Sequence, residues 1–313
     1  MVETARHGQE GAGGGAFPHP VGLATYMLYE VLLRAPAREA IGRLRTLMDG
    51  HPEFRVYEVP LRWDTDWREL EGAQQALVVG TQTAFIERGL SLSSPSEERR
   101  RAARAALSRA WDVAARLGAR YVAVWGGRRE EGVGAAAQLK ILAEELDAFL
   151  RTARGPEVVV EPFPPCSIAD SLIPDAATAV ALSRESGGRV GIMFDVAHHL
   201  LAGGDLPPNL QDLSSFVRVV QIGAGWKGAS GVLEDRHPVP GTAGAMGTRE
   251  QIARAVAWTR QLAHEVLVTF EVRPDAAWPA DRVLSLLSRW AASLAEDSSL
   301  VPWPDSVSDA PGP

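Results

Sequence analysis

The sequence predicts an α/β fold, a single closed (β/α)8 barrel of the TIM type. Eight short, nearly continuous apolar runs rich in β-branched residues recur along it, and segments of helical periodicity separate them. A strand without alternation is buried on both faces, as in a parallel sheet covered by helices, and eight such units close one barrel. The rival, an open doubly wound sheet, lacks its usual marks: no run leads into a GxGxxG or GxxxxGK[ST] turn. The 313 residues suit one barrel of ~250 residues with a tail at each end.

Residues 1–20, with a glycine run and little to bury, are expected to be a flexible tail outside the fold. The barrel spans 21–295. Its first four strands are VGLATYM at 21–27, RVYEVPL at 55–61, QALVVGT at 75–81 and YVAVWGG at 121–127. The second four are EVVVEPF at 157–163, RVGIMFD at 189–195, VRVVQIG at 217–223 and EVLVTFE at 265–271. Between the third and fourth runs, Ser94 is expected to cap a helix with Pro95 in its first turn and Glu97 closing a capping box. Its apolar stripe runs from Ala103 through Leu107 and Trp111 to Leu117, and Gly118 suits a left-handed stop. Thr248 and Gln251 repeat the cap signature before a helix running toward His264. Residues 296–313, rich in Ser, Asp and Pro, are expected to form a second flexible tail.

A net charge of −7 gives no basic footprint for nucleic acid. Arginine outnumbers lysine so strongly, with only Lys140 and Lys227 of the latter, that GC-rich bacterial coding explains the skew better than chemistry does. Cys166 is the only cysteine, and neither a signal peptide nor an 18-residue apolar span is apparent, so a cytoplasmic location without membrane partners is expected.

In such a barrel the C-terminal strand ends converge on one mouth. Glu161, Asp195, Gln221 and Glu271 close the fifth to eighth runs. Any one of them alone reads equally well as a solvated loop residue; four on consecutive strands do not. Three carboxylates gathered there would repel one another unless a cation compensates them. One divalent metal ion is therefore expected, and an oxygen-only set that includes the Gln221 carbonyl favours Mn first, then Mg, with Co and Zn chemically compatible.

The segments VVVEPF around Glu161, FDVAHHLLAGGD around Asp195 and His198, EDRHPVPGTAG around Asp235 and His237, and TFEVRP around Glu271 together resemble the xylose isomerase-like TIM barrels. That superfamily, with its AP endonuclease family 2-like members, includes sugar isomerases and epimerases, inosose and dehydroshikimate dehydratases, and endonuclease IV. The resemblance implies that Glu161, Asp195, the seventh-strand residue and Glu271 hold one ion, with His198 near the substrate. It also implies catalytic roles for Glu161 and Glu271, one removing a carbon-bound proton and the other returning it through an enediolate. The family's commonest seventh-strand ligand is histidine, and here it is Gln221. Endonuclease IV needs three further imidazoles at the third, fourth and seventh strands, which this sequence lacks, so phosphodiester cleavage is disfavoured.

His198 reads as a substrate hydrogen-bond donor, as an acid or base for a departing hydroxyl, or as a structural histidine. Arg273 shares the parity of Glu271, so it either faces the pocket and binds a carboxylate or phosphate, or pairs outward with a surface acid. Asp235 and His237 lie on the loop after the seventh strand, as substrate-side or loop-anchoring groups. Glu58 and Trp125 are candidate pocket walls, and Trp63, Trp67 and Trp226 add apolar surface near the mouth. The expected activity is a metal-dependent isomerase or epimerase of a small sugar, sugar derivative or cyclitol, in a chain able to self-associate. A dehydratase or lyase on a cyclic polyol or keto acid is the alternative, and a degenerate ligand-binding barrel the third reading.

Overall fold

The computed structural model describes residues 17–62 and 67–295. Eight parallel strands form the barrel: β1 (Val21–Ala24), β2 (Val56–Pro60), β3 (Ala76–Gly80), β4 (Tyr121–Trp125), β5 (Glu157–Glu161), β6 (Val190–Asp195), β7 (Val217–Ile222) and β8 (Leu267–Phe270). They pair in the closed order β1-β8-β7-β6-β5-β4-β3-β2. Each of the eight apolar runs supplies one strand, because each is sandwiched between the barrel interior and a helical layer outside. A small antiparallel sheet of Gly225–Lys227, Leu233–Glu234 and Ala245–Met246 projects from the end of β7.

Side chains alternate along each strand, so one parity fills the barrel. Val56, Val78, Tyr121, Ala123, Val159, Met193, Val219 and Leu267 form this inner cluster, all buried. Two residues further along their strands, at the same parity, stand Glu58, Glu161, Asp195, Gln221 and Thr269. The apolar cluster is thus a floor, and the polar layer above it faces the mouth. The opposite parity packs on the helices, where Trp290 of helix Ala280–Ala295 is fully buried against Phe270 with ring centroids 5.6 Å apart.

Several local expectations change. The first run is a strand only to Ala24; Thr25–Leu28 is a helical turn, tied down where the Thr25 hydroxyl donates to Glu58 O at 2.6 Å. The helix Glu97–Arg116 is capped by Ser96, which accepts from Arg99 N, and not by Ser94, which instead accepts from Ser96 N. Glu97 completes no box because its carboxylate pairs with Arg100 and Arg104. Gly118 does adopt the left-handed stop, with φ 64°. At Thr248 both halves of the box form, but the helix is Arg249–Arg260 and ends before His264.

Residues 17–20, expected to belong to the N-terminal tail, pack against the fold. His19 is buried, its Nε2 2.9 Å from Thr259 O, and Phe17 N donates to Leu294 O, so 17–20 lie against the outer helices at the foot of the barrel. The prolines at 18 and 20 favour an extended approach to β1 that composition alone could not distinguish from a loose end. The remaining tail assignments, 1–16 and 296–313, lie outside the described residues, as does Trp63.

Candidate metal centre and active site

Closure of the sheet brings Glu161, Asp195 and Glu271 together: one carboxylate oxygen from each lies within 4.8 Å of the others, and all three residues are buried. A second trio, Asp195, His198 and His237, converges equally closely and shares Asp195. Asp195 ends β6 and caps the short helix Val196–Leu201 that follows, its Oδ1 accepting from Ala197 N at 2.7 Å. That cap fixes the carboxylate and, one turn on, brings His198 Nδ1 to 3.0 Å from Asp195 Oδ2 and 3.2 Å from Glu161 Oε1. Glu271 follows β8 directly, and its N–H donates to Ile222 O, continuing the ladder.

Asp235 bridges the two imidazoles, with Oδ2 3.2 Å from His198 Nε2 and Oδ1 2.6 Å from His237 Nε2. Ser167, on the loop after β5, donates to the same carboxylate. His237 reaches this position with φ 48°, a left-handed backbone that a non-glycine residue adopts at a cost of roughly 1 kcal/mol. Gly223 makes room for it, since a Cβ there would stand 2.6 Å from Glu271 O and 3.2 Å from His237 Nδ1.

Burial dominates the electrostatics. It pushes the Glu161 and Glu271 carboxyls above the usual range, Glu271 well above, and Asp195 beside them adds to the rise. Glu58, beneath them, is pushed up to about 8 by burial and by the charges of Glu161 and Asp195. Burial opposes the charging of both imidazoles, but the carboxylates outweigh it: His198 is held well above its ordinary value and His237 rises to about 9. Asp235, although burial opposes its ionisation too, is held far below the usual range by the two histidines.

Five carboxyls thus face two imidazoles, and among the described residues no lysine or arginine lines the cavity. Asp195 Oδ2, Gln221 Oε1, Glu271 Oε2, His198 Nδ1 and His237 Nε2 are buried without a hydrogen-bond partner, the close contacts of the two imidazoles being out of line for hydrogen bonds. Unpartnered carboxylate and amide oxygens, Asp195 Oδ2, Gln221 Oε1 and Glu271 Oε2, amid an excess of acidic groups are what a divalent cation would satisfy. The residues present fit such an ion.

The cavity, of about 100 Å³, is lined by Glu161, Glu271, His198, Asp235 and His237 among the anticipated residues. Glu58 and Gln221 lie buried below it, joined by a 3.0 Å hydrogen bond from Gln221 Nε2 to Glu58 Oε2. Arg273 does not face it. β8 ends at Phe270, so strand parity no longer orients residue 273, and the exposed guanidinium rests with Nη2 3.5 Å from Met27 Sδ, beside a separate groove of about 520 Å³. Trp125 is buried, its indole N–H donating to Leu90 O, and Trp67 is buried with its N–H on Arg62 O. Trp226 lines the outer groove under Arg236, whose guanidinium carbon is 3.7 Å from the ring centroid.

Among the lining residues that sequence reasoning missed, two touch the carboxylates. Gln82, just past β3, donates from Nε2 to Glu161 Oε2 at 2.6 Å, and the Tyr26 hydroxyl donates to Glu271 Oε1 at 3.3 Å. The strand-end rule that found Glu161 would have found Gln82 after QALVVGT. Tyr26 was hidden inside a run read as strand throughout.

Fold and site define a (β/α)8-barrel protein with a carboxylate-rich mouth suited to a divalent cation. The chain belongs to the xylose isomerase-like TIM barrel family, whose model matches residues 57–277. No curated protein sequence is significantly similar to it. Among solved structures, D-psicose 3-epimerase with D-tagatose from Clostridium cellulolyticum H10 is similar at 17% identity and a TM-score of 0.60, covering 89% of this chain and 98% of that one. An IolI protein with a bound zinc atom gives 12% identity, a TM-score of 0.66 and coverage of 90% and 98%. An AP endonuclease, family 2, from Brucella melitensis gives 18%, 0.62, and 86% and 97%. At these identities the likeness establishes the shared fold. Among the described residues no helix is long and apolar enough to cross a membrane.

Proposed function

We propose that the chain is a divalent-metal-dependent isomerase or epimerase acting on a small sugar, sugar derivative or cyclitol. The observation that carries this reading is the convergence of Glu161 and Glu271 beside Asp195: two carboxyl groups of raised basicity, from strands three places apart in the ring, approach one cavity from different sides. Each is steered by a neutral donor, Gln82 for Glu161 and Tyr26 for Glu271. Held this way, one carboxylate takes a proton from carbon beside a substrate carbonyl and the other returns one, a carboxyl of raised pKa being the better base. Glu161, Asp195, Gln221 and Glu271 would hold the ion, with Mn or Mg best suited to four oxygen donors. When bound, it would polarise the carbonyl and stabilise the negative charge left by proton removal. His198, held by Asp235, orients a substrate oxygen.

The test is exchange. Purified protein supplied with Mn or Co in deuterated water should wash deuterium into a carbon-bound position of at least one ketose or cyclitol ketone, and Glu161→Gln should abolish this. Absence of exchange across a broad panel would count against the proposal. The position of His198, an imidazole held charged between Glu161, Asp195 and Asp235, favours a dehydratase as the second reading, since it can protonate a departing hydroxyl. A product lighter by one water would select it.

A further inference from the structure

Glu58 is a fully buried carboxylate with no part in the proton transfer proposed above. Its two oxygens are both committed: Oε2 accepts from Gln221 Nε2 at 3.0 Å, and Oε1 accepts from the Thr269 hydroxyl. Its strand is further fixed at this point, where its backbone carbonyl accepts from Thr25 Oγ1. The partners come from neighbouring strands: Gln221 of β7 is in register with Asp195 on one side and Thr269 on the other.

The two ends of a glutamine amide are almost identical in shape and opposite in polarity, so packing alone does not decide which end faces a neighbour. At Gln221 that choice matters. The carbonyl is a hard oxygen donor to a cation, whereas the amino end presents two positive hydrogens and would repel it. Glu58 Oε2 accepts from the amino end of Gln221, and the Thr269 hydroxyl, donating to Oε1, keeps the Glu58 carboxyl from turning away. Gln221 Oε1 is left buried, without a partner, on the strand next to Asp195.

We infer that Glu58 is a positioning residue: it selects the amide orientation in which the Gln221 carbonyl completes the cation site. This rests on the metal-centre reading above and adds to it a reason for a buried acid on β2. It also explains how a glutamine serves as ligand, for without such an anchor the amide would be free to flip.

The experiment is a double-mutant cycle read in Mn binding to the full chain, by titration calorimetry or by the electron paramagnetic resonance of free Mn. Wild type, Glu58→Leu, Gln221→Ala and the double variant are compared, with Glu58→Gln alongside. Loss of a residue that orients a metal ligand typically weakens affinity about 10- to 100-fold, and Glu58→Leu should fall in that range. Glu58→Gln retains a carbonyl oxygen that can accept from the Gln221 amino end, so it should recover most of that loss. In the Gln221→Ala background the effect of Glu58→Leu should shrink at least about fivefold, because the ligand it positions is gone.

An equal effect of Glu58→Leu in both backgrounds would overturn the inference, since Glu58 would then act on the ion without acting through Gln221. So would Mn affinity in Glu58→Leu within twofold of wild type. If Glu58→Leu does not fold, the same cycle is run with Thr269→Val, for which a coupled loss supports the inference and an additive one overturns it. Failure of folded wild type to bind Mn, Mg, Co or Zn would instead overturn the metal-centre reading itself.

Discussion

Replacing Glu58 by glutamine in the metal-free protein should flatten the dependence of stability on pH. Burial, reinforced by the charges of Glu161 and Asp195, lifts this carboxyl from its ordinary 4.5 to about 8, against the opposing hydrogen bonds of Thr269 and Gln221. At about 1.4 kcal/mol for each tenfold change in proton affinity, ionising Glu58 in the folded protein costs up to about 5 kcal/mol. The sign follows from which state holds the proton. Below pH 4.5 both states are protonated and nothing is lost; between 4.5 and 8 the folded state alone retains the proton, so stability falls as pH rises; above 8 the loss is complete. His237 acts in the same direction, since its rise from 6.5 to about 9 stabilises the fold below pH 6.5, and that contribution fades as pH climbs through 9. Wild type without metal should therefore be markedly less stable at pH 9 than at pH 5. The glutamine variant keeps only the share owed to His237 and its neighbours, a slope shallower by about 2–5 kcal/mol over that range, part of the relief passing to Glu161 and Glu271. Urea unfolding in the presence of chelator, from pH 5 to 9, measures both curves. Parallel curves would refute the reasoning.

The other expectations concern the ion, the two bases and the core. Adding Mn at a hundredfold its dissociation constant should raise unfolding free energy by about 2.7 kcal/mol in wild type and far less in Asp195→Asn, as read by calorimetry. Glu161→Gln and Glu271→Gln should each slow deuterium exchange by about 10²–10⁴-fold while leaving metal-free stability equal or higher, because each removes one of the crowded acids. Trp290→Ala should cost about 3–5 kcal/mol in urea unfolding by opening a cavity behind Phe270. Thr248→Ala, which breaks a complete capping box, should cost about 1 kcal/mol by the same measurement.

The barrel is legible in the sequence because each strand is buried on both faces, so it appears as an unbroken apolar run that no surface helix would show. Glu161, Asp195, Gln221 and Glu271 are legible for a related reason: a polar group that ends such a run stands at the mouth once the sheet closes. What the runs do not encode is how loops return. His237 reaches the cavity through a left-handed backbone over Gly223, and Asp235 sits between two imidazoles, features of a loop with no periodicity to read. Arg273 shows the limit of parity, which stops orienting side chains where β8 ends at Phe270. Tyr26 shows the converse error, an apolar run whose second half turns into a helix and carries its hydroxyl to Glu271. The Glu58–Gln221 bond links residues 163 positions apart on strands that meet only across the barrel interior, and only the closed structure brings them into view.

The most direct test of the metal centre is a crystal of the protein soaked in Mn, with anomalous differences measured at the Mn edge. A single strong peak about 2.1–2.3 Å from oxygens of Glu161, Asp195, Gln221 and Glu271 is the expected result. A protein that takes up no ion there, or one whose peak lies elsewhere on the surface, would contradict it.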